Sequence, residues 1–159
     1  MSIVNKKHAC AFTGHRPEKL ETPEEYVKEW LEKQIRQAVG DGYTDFISGM
    51  QRGVDLWAVE ILLKLKTEGD NLRIIAACAF EGMDRSFDDD YKRLYREFLS
   101  VADEVNVILD RPTKYAYIKR DEWMVDHANR LIAVFTGAPG GTKKTVEYAQ
   151  KKGIEIVRF

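Results

Sequence analysis

Residues 44–57 read TDFISGMQRGVDLW, and this stretch decides the fold class. Residues 44–48 form a short run of the kind that makes a strand covered on both faces. Two glycines then frame a turn, and from about residue 54 to residue 66 apolar residues recur at helical spacing. The stretch predicts a buried strand that leads through a glycine-bearing turn into a helix, the building unit of a parallel α/β sheet.

The same alternation continues on both sides of this unit. Further strands are predicted at 8–13, 72–77, 105–109, 130–135 and 154–157, and further helices at 23–39, 88–102, 117–129 and 142–152. Strands that alternate with helices pair in parallel and have helices on both faces. The pattern therefore predicts a Rossmann-like α/β domain of three layers, with a mostly parallel sheet of about six strands.

Two of the predicted helices have strong start signals. In the first, Thr22 is placed to be the N-cap, Pro23 the first helical residue and Glu25 the partner in a capping box. In the third, acidic residues 88–90 suit the positive end of the helix dipole. That role accounts for this acidic cluster, so no metal site is expected there.

Composition and charge limit the possible functions. The chain has 159 residues, which predicts a single domain over 1–159, and its net charge of −1 argues against a protein dedicated to coating duplex DNA. A hydrophobic fraction of 44% excludes a largely disordered chain. No apolar run approaches the ~20 residues of a membrane span, and no leader pattern opens the sequence. We expect a cytoplasmic protein in which Cys10 and Cys78 stay reduced.

In a sheet of this type, ligands bind beyond the carboxyl ends of the strands, near the point where the strand order reverses. Function is therefore expected in the turns after the first, second and fifth strands. The first of these turns contains Gly14, His15 and Arg16. The glycine allows a sharp turn or a close approach to a ligand, and the two side chains would project over the edge of the sheet.

The turn after the second strand combines glycines with a cation and an acid. Free amides near Ser48, Gly49 and Gly53 and the following helix N-terminus make an anion site, to which Arg52 adds a bidentate phosphate donor. Asp55 lies in the first turn of that helix. It is either an acidic cap that the helix dipole favours or a ligand contact, and the sequence leaves both open.

The turn after the fifth strand, TGAPGGT at 136–142, is a second amide-rich loop at a helix start. Gly140 and Gly141 free the backbone, and Thr142 is placed to cap the helix or bind a phosphate oxygen. Two such loops on one sheet edge indicate a ligand with phosphate groups. A Walker A motif is absent, as is GxGxxG after the first strand, which argues against a standard ATPase and a standard NAD dehydrogenase.

The runs TGHRP, ISGMQRGVDLWAVE, KRDEWMVDHANRLIAVF and PGGTKKTVEYA resemble the YpsA-like family of the SLOG superfamily, in order along nearly the whole chain. That superfamily also includes the lonely-guy phosphoribohydrolases and DNA-processing protein A. The resemblance implies a nucleotide-like ligand, a phosphate-contacting role for the glycines and arginine of SGMQRGVD, and a ligand-binding or catalytic role for Arg120. It also implies at least a homodimer, for which Trp57 and Trp123 are candidate contact residues, although both could equally belong to the core.

The resemblance leaves the catalytic carboxylate open. Aligning Pro139 and its two following glycines with the lonely-guy loop places Glu147 at the catalytic glutamate, whereas aligning Gly141 and Thr142 places Thr145 there. Asp121, after Arg120, also stands where those enzymes usually have lysine.

The catalytic candidates are therefore Arg120 and Glu147, and three functions are compared. The first is binding of a nucleotide-derived small molecule, by a sensor or sequestering protein that requires no cofactor or metal. The second is release of a base from a nucleoside monophosphate, and the third is nucleic-acid binding. The first requires only the two anion-binding loops, so we prefer it.

Overall fold

The computed structural model describes residues 3–159. Residues 1 and 2, which belong to the domain predicted over 1–159 and to the stretch searched for a leader, lie outside the described residues. The strands are β1 (Ala9–Gly14), β2 (Asp45–Ser48), β3 (Arg73–Phe80), β4 (Glu104–Leu109), β5 (Arg130–Val134) and β6 (Glu155–Arg158). The helices are α1 (Glu24–Gly40), α2 (Val54–Thr67), α3 (Asp89–Val101), α4 (Ala116–Asp126) and α5 (Gly141–Lys152). In these residues no helix is both long and apolar enough to span a bilayer.

The strands form one all-parallel sheet in the order β4-β3-β2-β1-β5-β6. The chain builds the sheet from β1 outward to β4, then returns to the other side of β1 for β5. The order therefore reverses between β1 and β5. In this register Gly14 lies opposite Val134, so both strands end at the same level and the turns that follow them are neighbours.

Alternate residues of each central strand pack on opposite faces, because side chains along a strand alternate. Cys10 and Phe12 of β1 belong to the core under α1, α2 and α3, whereas Ala9 and Ala11 belong to the core under α4 and α5. Both faces are thus covered, which gives the predicted three-layer α/β arrangement. Cys10 and Cys78 are buried free cysteines.

The start of α1 differs from the prediction. The helix begins at Glu24, and Pro23 is its N-cap, with no side-chain capping bond. The carbonyl of Pro23 accepts hydrogen bonds from the amides of Tyr26 (3.1 Å) and Val27 (3.3 Å). Because the helix begins one residue later than predicted, Pro23, whose side chain has no acceptor, takes the N-cap position instead of Thr22, so the Thr22–Glu25 capping box was wrong. At α3 the prediction is confirmed, because Asp88 accepts a bond from the Tyr91 amide.

The end of α4 also differs, because the helix stops at Asp126 instead of residue 129. The amide of Asn129 already donates to the carbonyl of Ala9 in β1 at 2.9 Å, so this residue has joined the sheet. Of the two tryptophans for which a dimer contact and the core were both open, Trp57 is 4% exposed and lies in the core. Trp123 is half-buried and stacks on the ring of His127.

Candidate functional site

A cavity of about 230 Å³, which we call the polar cavity, opens where the strand order reverses. Its walls come from the carboxyl end of β1, the turn after β2, one face of α4 and the beginning of α5. This is the position at which sheets of this kind bind ligands. The lining residues are Phe12, Thr13, Gly14, His15, Arg16, Lys19, Gln51, Asp55, Tyr117, Arg120, Asp121, Pro139, Gly140, Gly141 and Thr142.

The structure brings together most, but not all, of the residues that the sequence singles out for ligand binding. Those on the wall of the polar cavity are Gly14, His15, Arg16, Asp55, Arg120, Gly140, Gly141 and Thr142. Those off the wall are Ser48, Gly49, Arg52 and Gly53. Ser48 is the last residue of β2, and the other three belong to the turn that follows it. The two glycine-bearing turns therefore contribute to the cavity in different ways.

His15 joins the turn after β1 to the turn after β5. Its amide donates to the carbonyl of Val134 at 3.2 Å, and its Nε2 accepts a hydrogen bond from the amide of Thr136 at 3.1 Å. The ring also packs at 5.6 Å from the ring of Phe135. Burial, with a smaller effect from the nearby charge of Lys19, lowers the pKa of His15 from its ordinary value. This histidine holds one wall of the cavity in place as a neutral ring.

Arg16 and Lys19 lie on the exposed rim of the same wall. Within residues 3–159, neither side chain forms an ion pair. Both positive charges are therefore available to a ligand at the cavity mouth.

Ser48 and Gly49 shape the turn after β2 from beneath. Ser48 is fully buried; its hydroxyl donates to the carbonyl of Asp55 at 2.9 Å and accepts a bond from the amide of Met50 at 3.1 Å. A methyl group at Gly49 would lie 2.8 Å from Asp55 Oδ2 and 3.0 Å from Arg120 Cζ. The glycine is needed because two charged side chains cross its backbone.

Arg52 turns away from the polar cavity. Its guanidinium makes a bidentate pair with Glu18, with Nη1 at 2.7 Å from Oε2. The hydrogen bond from Arg52 lowers the pKa of Glu18 to about 2. Gly53 has a φ of 94°, and a methyl group there would lie 2.8 Å from Pro17 Cδ. Both residues attach the turn to the segment after β1.

Arg120, from the middle of α4, lies deep in the cavity wall with only 4% of its surface exposed. Its Nε donates to Asp121 Oδ1 at 2.7 Å, and its Nη1 donates to the carbonyl of Gly49. The other oxygen of Asp121 accepts a bond from the hydroxyl of Thr145 at 3.1 Å. This chain of contacts ties α4 to both the turn after β2 and the start of α5.

Asp55 is the second buried charged group of the cavity, at 8% exposure in the first turn of α2. Its Oδ2 accepts one hydrogen bond, from the amide of Gln51 at 3.3 Å. Burial raises the pKa of Asp55 to about 7; the positive charge of Arg120 opposes that rise, and the negative charge of Asp121 adds to it. The sequence left a cap and a ligand contact open for Asp55, and its place on the wall favours the second.

Glu147 lies outside the polar cavity, on the exposed surface of α5. It lines a separate cavity of about 330 Å³ between α4 and α5, which shares only Asp121 and Gly141 with the first. Thr145, the alternative position for the catalytic glutamate, is buried and bonded to Asp121. Of the two candidate positions for the catalytic glutamate, only Thr145 is bonded to the wall of the polar cavity, and its side chain is a hydroxyl group, not a carboxylate.

Sequence reasoning did not single out Lys19, Gln51, Tyr117 and Asp121 as ligand contacts, although all four line the polar cavity. Tyr117 could have been found, because it lies three residues before Arg120 and so shares its helix face. Their side chains are in contact, with Arg120 Cζ 5.5 Å from the centre of the tyrosine ring. Across residues 3–159, no three His, Cys, Asp or Glu side chains converge as a metal site would require.

Comparison with known proteins agrees with the family resemblance of the sequence motifs. The model of the YspA SLOG family matches residues 10–156. UPF0398 proteins of Bacillus thuringiensis (strain Al Hakam) and Bacillus cereus (strain B4264) are each 29% identical over 154 residues, covering 90% of this chain and 83% of theirs.

Two solved structures have a similar fold. DNA processing protein A from Streptococcus pneumoniae superposes with a TM-score of 0.65 at 16% identity, over 94% of this chain but 49% of that one. The Helicobacter pylori protein of the same name gives 0.64 at 18% identity, over 94% and 64%. The chain thus spans about half to two thirds of these neighbours, and at such identities the likeness concerns the fold alone.

Proposed function

Because this chain belongs to the YspA SLOG family, we propose that it binds a nucleotide or nucleotide-derived small molecule and acts as a sensor or sequestering protein. The observation that carries the proposal is the polar cavity at the reversal of strand order, onto which the N-terminus of α5 opens. We place the phosphate of the ligand at that N-terminus.

The start of α5 suits an anion for two reasons. Its first amides, from Gly141 onward, have no acceptor within the helix, and the helix dipole is positive at this end. The backbone there is also open, since among residues 3–159 no atom beyond the adjoining backbone lies within 4 Å of the position that a Cβ would take at Gly140 or Gly141. Arg16 and Lys19 on the rim add the positive charge that a phosphate requires.

Binding without turnover fits the carboxylates better than nucleotide hydrolysis does. Glu147, the candidate catalytic acid, is exposed and off the polar cavity, and Thr145 carries no charge. Asp121 is on the wall, but both of its oxygens are engaged, by Arg120 and by Thr145.

A nucleic acid is the third candidate ligand. The H. pylori neighbour is described by its mode of single-stranded DNA binding. The net charge of −1 and the small volume of the polar cavity favour a small molecule for the chain studied here.

Thermal unfolding with a panel of phosphate compounds tests the proposal. Inorganic phosphate, AMP, GMP and ribose 5-phosphate are each added to the full chain, and a ligand at about 100 times its Kd raises stability by about 2.7 kcal/mol. The combined change of Arg16→Ala and Lys19→Ala should reduce the shift, whereas Arg52→Ala is the matched control because its side chain is paired with Glu18. Absence of a shift with every compound would contradict the proposal.

Assembly stays a prediction. We expect at least a homodimer, and light scattering at micromolar concentration measures it. With Trp57 buried in the core, of the two tryptophans only Trp123 is left as a contact residue.

A further inference from the structure

The polar cavity contains a buried carboxylate that the phosphate site does not use. Asp55 is 8% exposed, yet it forms no ion pair with any residue among 3–159, and its one side-chain hydrogen bond is the long one from the Gln51 amide to Oδ2. No described hydrogen bond uses Oδ1. Leaving a buried carboxylate this poorly satisfied is costly, so such a group usually has a partner.

Arg120 does not provide that partner. The two side chains converge over the backbone of Gly49, where both come within about 3 Å of the position of a missing Cβ. The guanidinium is nevertheless committed elsewhere, with Nε on Asp121 and Nη1 on the Gly49 carbonyl. Among the described residues no hydrogen bond uses its Nη2. An unused acceptor oxygen and an unused donor nitrogen are therefore left on two side chains that meet at Gly49 and line the polar cavity.

The group that fits this pair must both donate and accept hydrogen bonds. A cationic ligand group would satisfy Asp55, but Arg120 and the rim charges of Arg16 and Lys19 would repel it. A base edge that pairs an N–H with a ring nitrogen or a carbonyl oxygen could also serve both groups, so the test below uses probes without a base. A hydroxyl group does both, and two neighbouring hydroxyls can occupy both oxygens of a carboxylate.

On the basis of the proposed function, we propose that Asp55 and Arg120 form a ribose subsite, which binds the neighbouring 2′- and 3′-hydroxyls of the ligand and selects ribonucleotides over 2′-deoxyribonucleotides. Asp55 accepts hydrogen bonds from the hydroxyls, and Arg120 donates to their oxygens. The phosphate on the amides at the start of α5 and the sugar on Asp55 then share one cavity, whose volume of about 230 Å³ suits a phosphorylated sugar.

The test uses three probes without a base: ribose 5-phosphate, 2-deoxyribose 5-phosphate and inorganic phosphate. NMR titration of the full chain gives a Kd for each. We expect ribose 5-phosphate to bind about tenfold more tightly than its 2-deoxy analogue, the effect of a lost hydrogen bond to a charged group. In Asp55→Asn this ratio should fall to about twofold or less, because hydrogen bonds to the neutral amide oxygen are weaker than those to the carboxylate.

Asp84→Asn is the matched control, because Asp84 is also buried (6% exposed) but pairs with Arg96 away from the polar cavity. It should keep the ratio of the wild type. A second measurement needs no variant: the ratio in the wild type should be larger at pH 8.5 than at pH 5.5, since Asp55 loses its charge as the pH falls through its pKa of about 7. The two probes carry the same phosphate group and meet the same charged residues of the cavity, which are His15, Asp121, Arg16, Lys19 and Arg120. The contributions of these groups therefore cancel in the ratio of the two Kd values, and the ratio reports on the sugar alone.

The outcomes separate the subsite from the proposed function. Equal binding of the two sugar phosphates by the wild type overturns the ribose subsite and leaves the phosphate site standing. A ratio that persists in Asp55→Asn, or that does not change with pH, overturns the role of Asp55. Failure of all three probes to bind overturns both proposals together.

Discussion

The turn after β2 (residues 49–53) and the turn after β5 (residues 135–140) look alike in the sequence but have different structural roles. Both contain two glycines that lead from a strand to a helix. The β2 turn is filled by its own surroundings: Asp55 and Arg120 cross Gly49, and Pro17 packs on Gly53. The β5 turn is open, with no atom within 4 Å of a Cβ at Gly140.

The difference shows that glycine serves two purposes in turns of this kind. In the β2 turn it makes room for protein atoms, and the turn then presents side chains, Gln51 and Asp55, to the cavity. In the β5 turn and the start of α5 the space beside the glycines is open, and in the proposed function the backbone amides there bind the phosphate of the ligand. Five changes test this contrast, from the largest expected effect to the smallest.

Gly53→Ala should be the most destabilising. The residue has a φ of 94°, which side chains rarely adopt, and the new methyl group would lie 2.8 Å from Pro17 Cδ. Strain and overpacking together should cost about 3 kcal/mol of the free energy of unfolding, measured by chemical denaturation. Gly141→Ala is the control from the other side of the contrast, since its methyl group meets nothing, and it should change stability by less than about 0.5 kcal/mol. Equal effects would contradict the contrast.

Arg120→Ala should lower stability by about 2–3 kcal/mol, because it removes a buried guanidinium and leaves the Gly49 carbonyl and Asp121 without their donor. Arg52→Ala should cost less than about 1 kcal/mol, since its pair with Glu18 is largely exposed. Urea unfolding of the two variants compares them directly. A larger loss in Arg52→Ala would show that the exposed pair, and not the buried contact, holds the β2 turn.

Asp55 should give the protein a pH dependence that Asp55→Asn lacks. Its pKa is raised to about 7 in the folded chain, so between the unfolded value and 7 the folded state binds more protons. Stability should therefore fall as the pH rises through this window, by roughly 1 kcal/mol per pH unit. The observable is the difference in unfolding free energy between wild type and variant at pH 5 and pH 7. A constant difference would mean that Asp55 stays charged throughout.

Gly141→Pro removes one backbone amide from the open turn without removing a side chain. Proline is well accepted at the first position of a helix, and Gly140 before it, with a φ of 140° and a ψ of −166°, lies outside the helical region that a following proline disfavours. Folding should be unchanged, while the Kd for inorganic phosphate should rise about tenfold through loss of a charge-assisted hydrogen bond. Unchanged binding would place the phosphate elsewhere.

Glu147→Gln should have the smallest effect, because the side chain is exposed and outside the polar cavity. The Kd for ribose 5-phosphate should stay within about twofold of the wild type, since a solvated carboxylate contributes little. Assays for release of free base from nucleoside monophosphates should be negative for both proteins. Release by the wild type that the variant abolishes would show instead a phosphoribohydrolase.

Much of the fold could be predicted from local sequence. The six strands and five helices were found, because runs of apolar residues and their spacing depend only on neighbours along the chain. The acidic start of α3 at Asp88 was found for the same reason. Boundaries that depend on distant partners were missed: α4 ends early because Asn129 pairs with Ala9 of β1, far away in sequence.

The candidate site was predicted in part. The position at the carboxyl ends of the strands follows from the order of elements, which is why Gly14 and the Gly140–Gly141 pair were expected together; Arg120, which lines the same cavity, was chosen from the family resemblance. Arg52 was chosen as a phosphate donor because of its place between glycines. Glu18, its partner, lies 34 residues earlier, and no local pattern could have revealed the pair.

The sequence by itself determined the parallel α/β sheet, the turns at its carboxyl edge and the family to which the chain belongs. Only the tertiary structure decided which glycine turn is open, which arginine reaches the cavity and that Asp55 is buried beside it without an ion pair to any of residues 3–159. The reason is physical: helix and strand preferences depend on residues near in the chain, whereas burial and charge pairing depend on atoms that are near only in space.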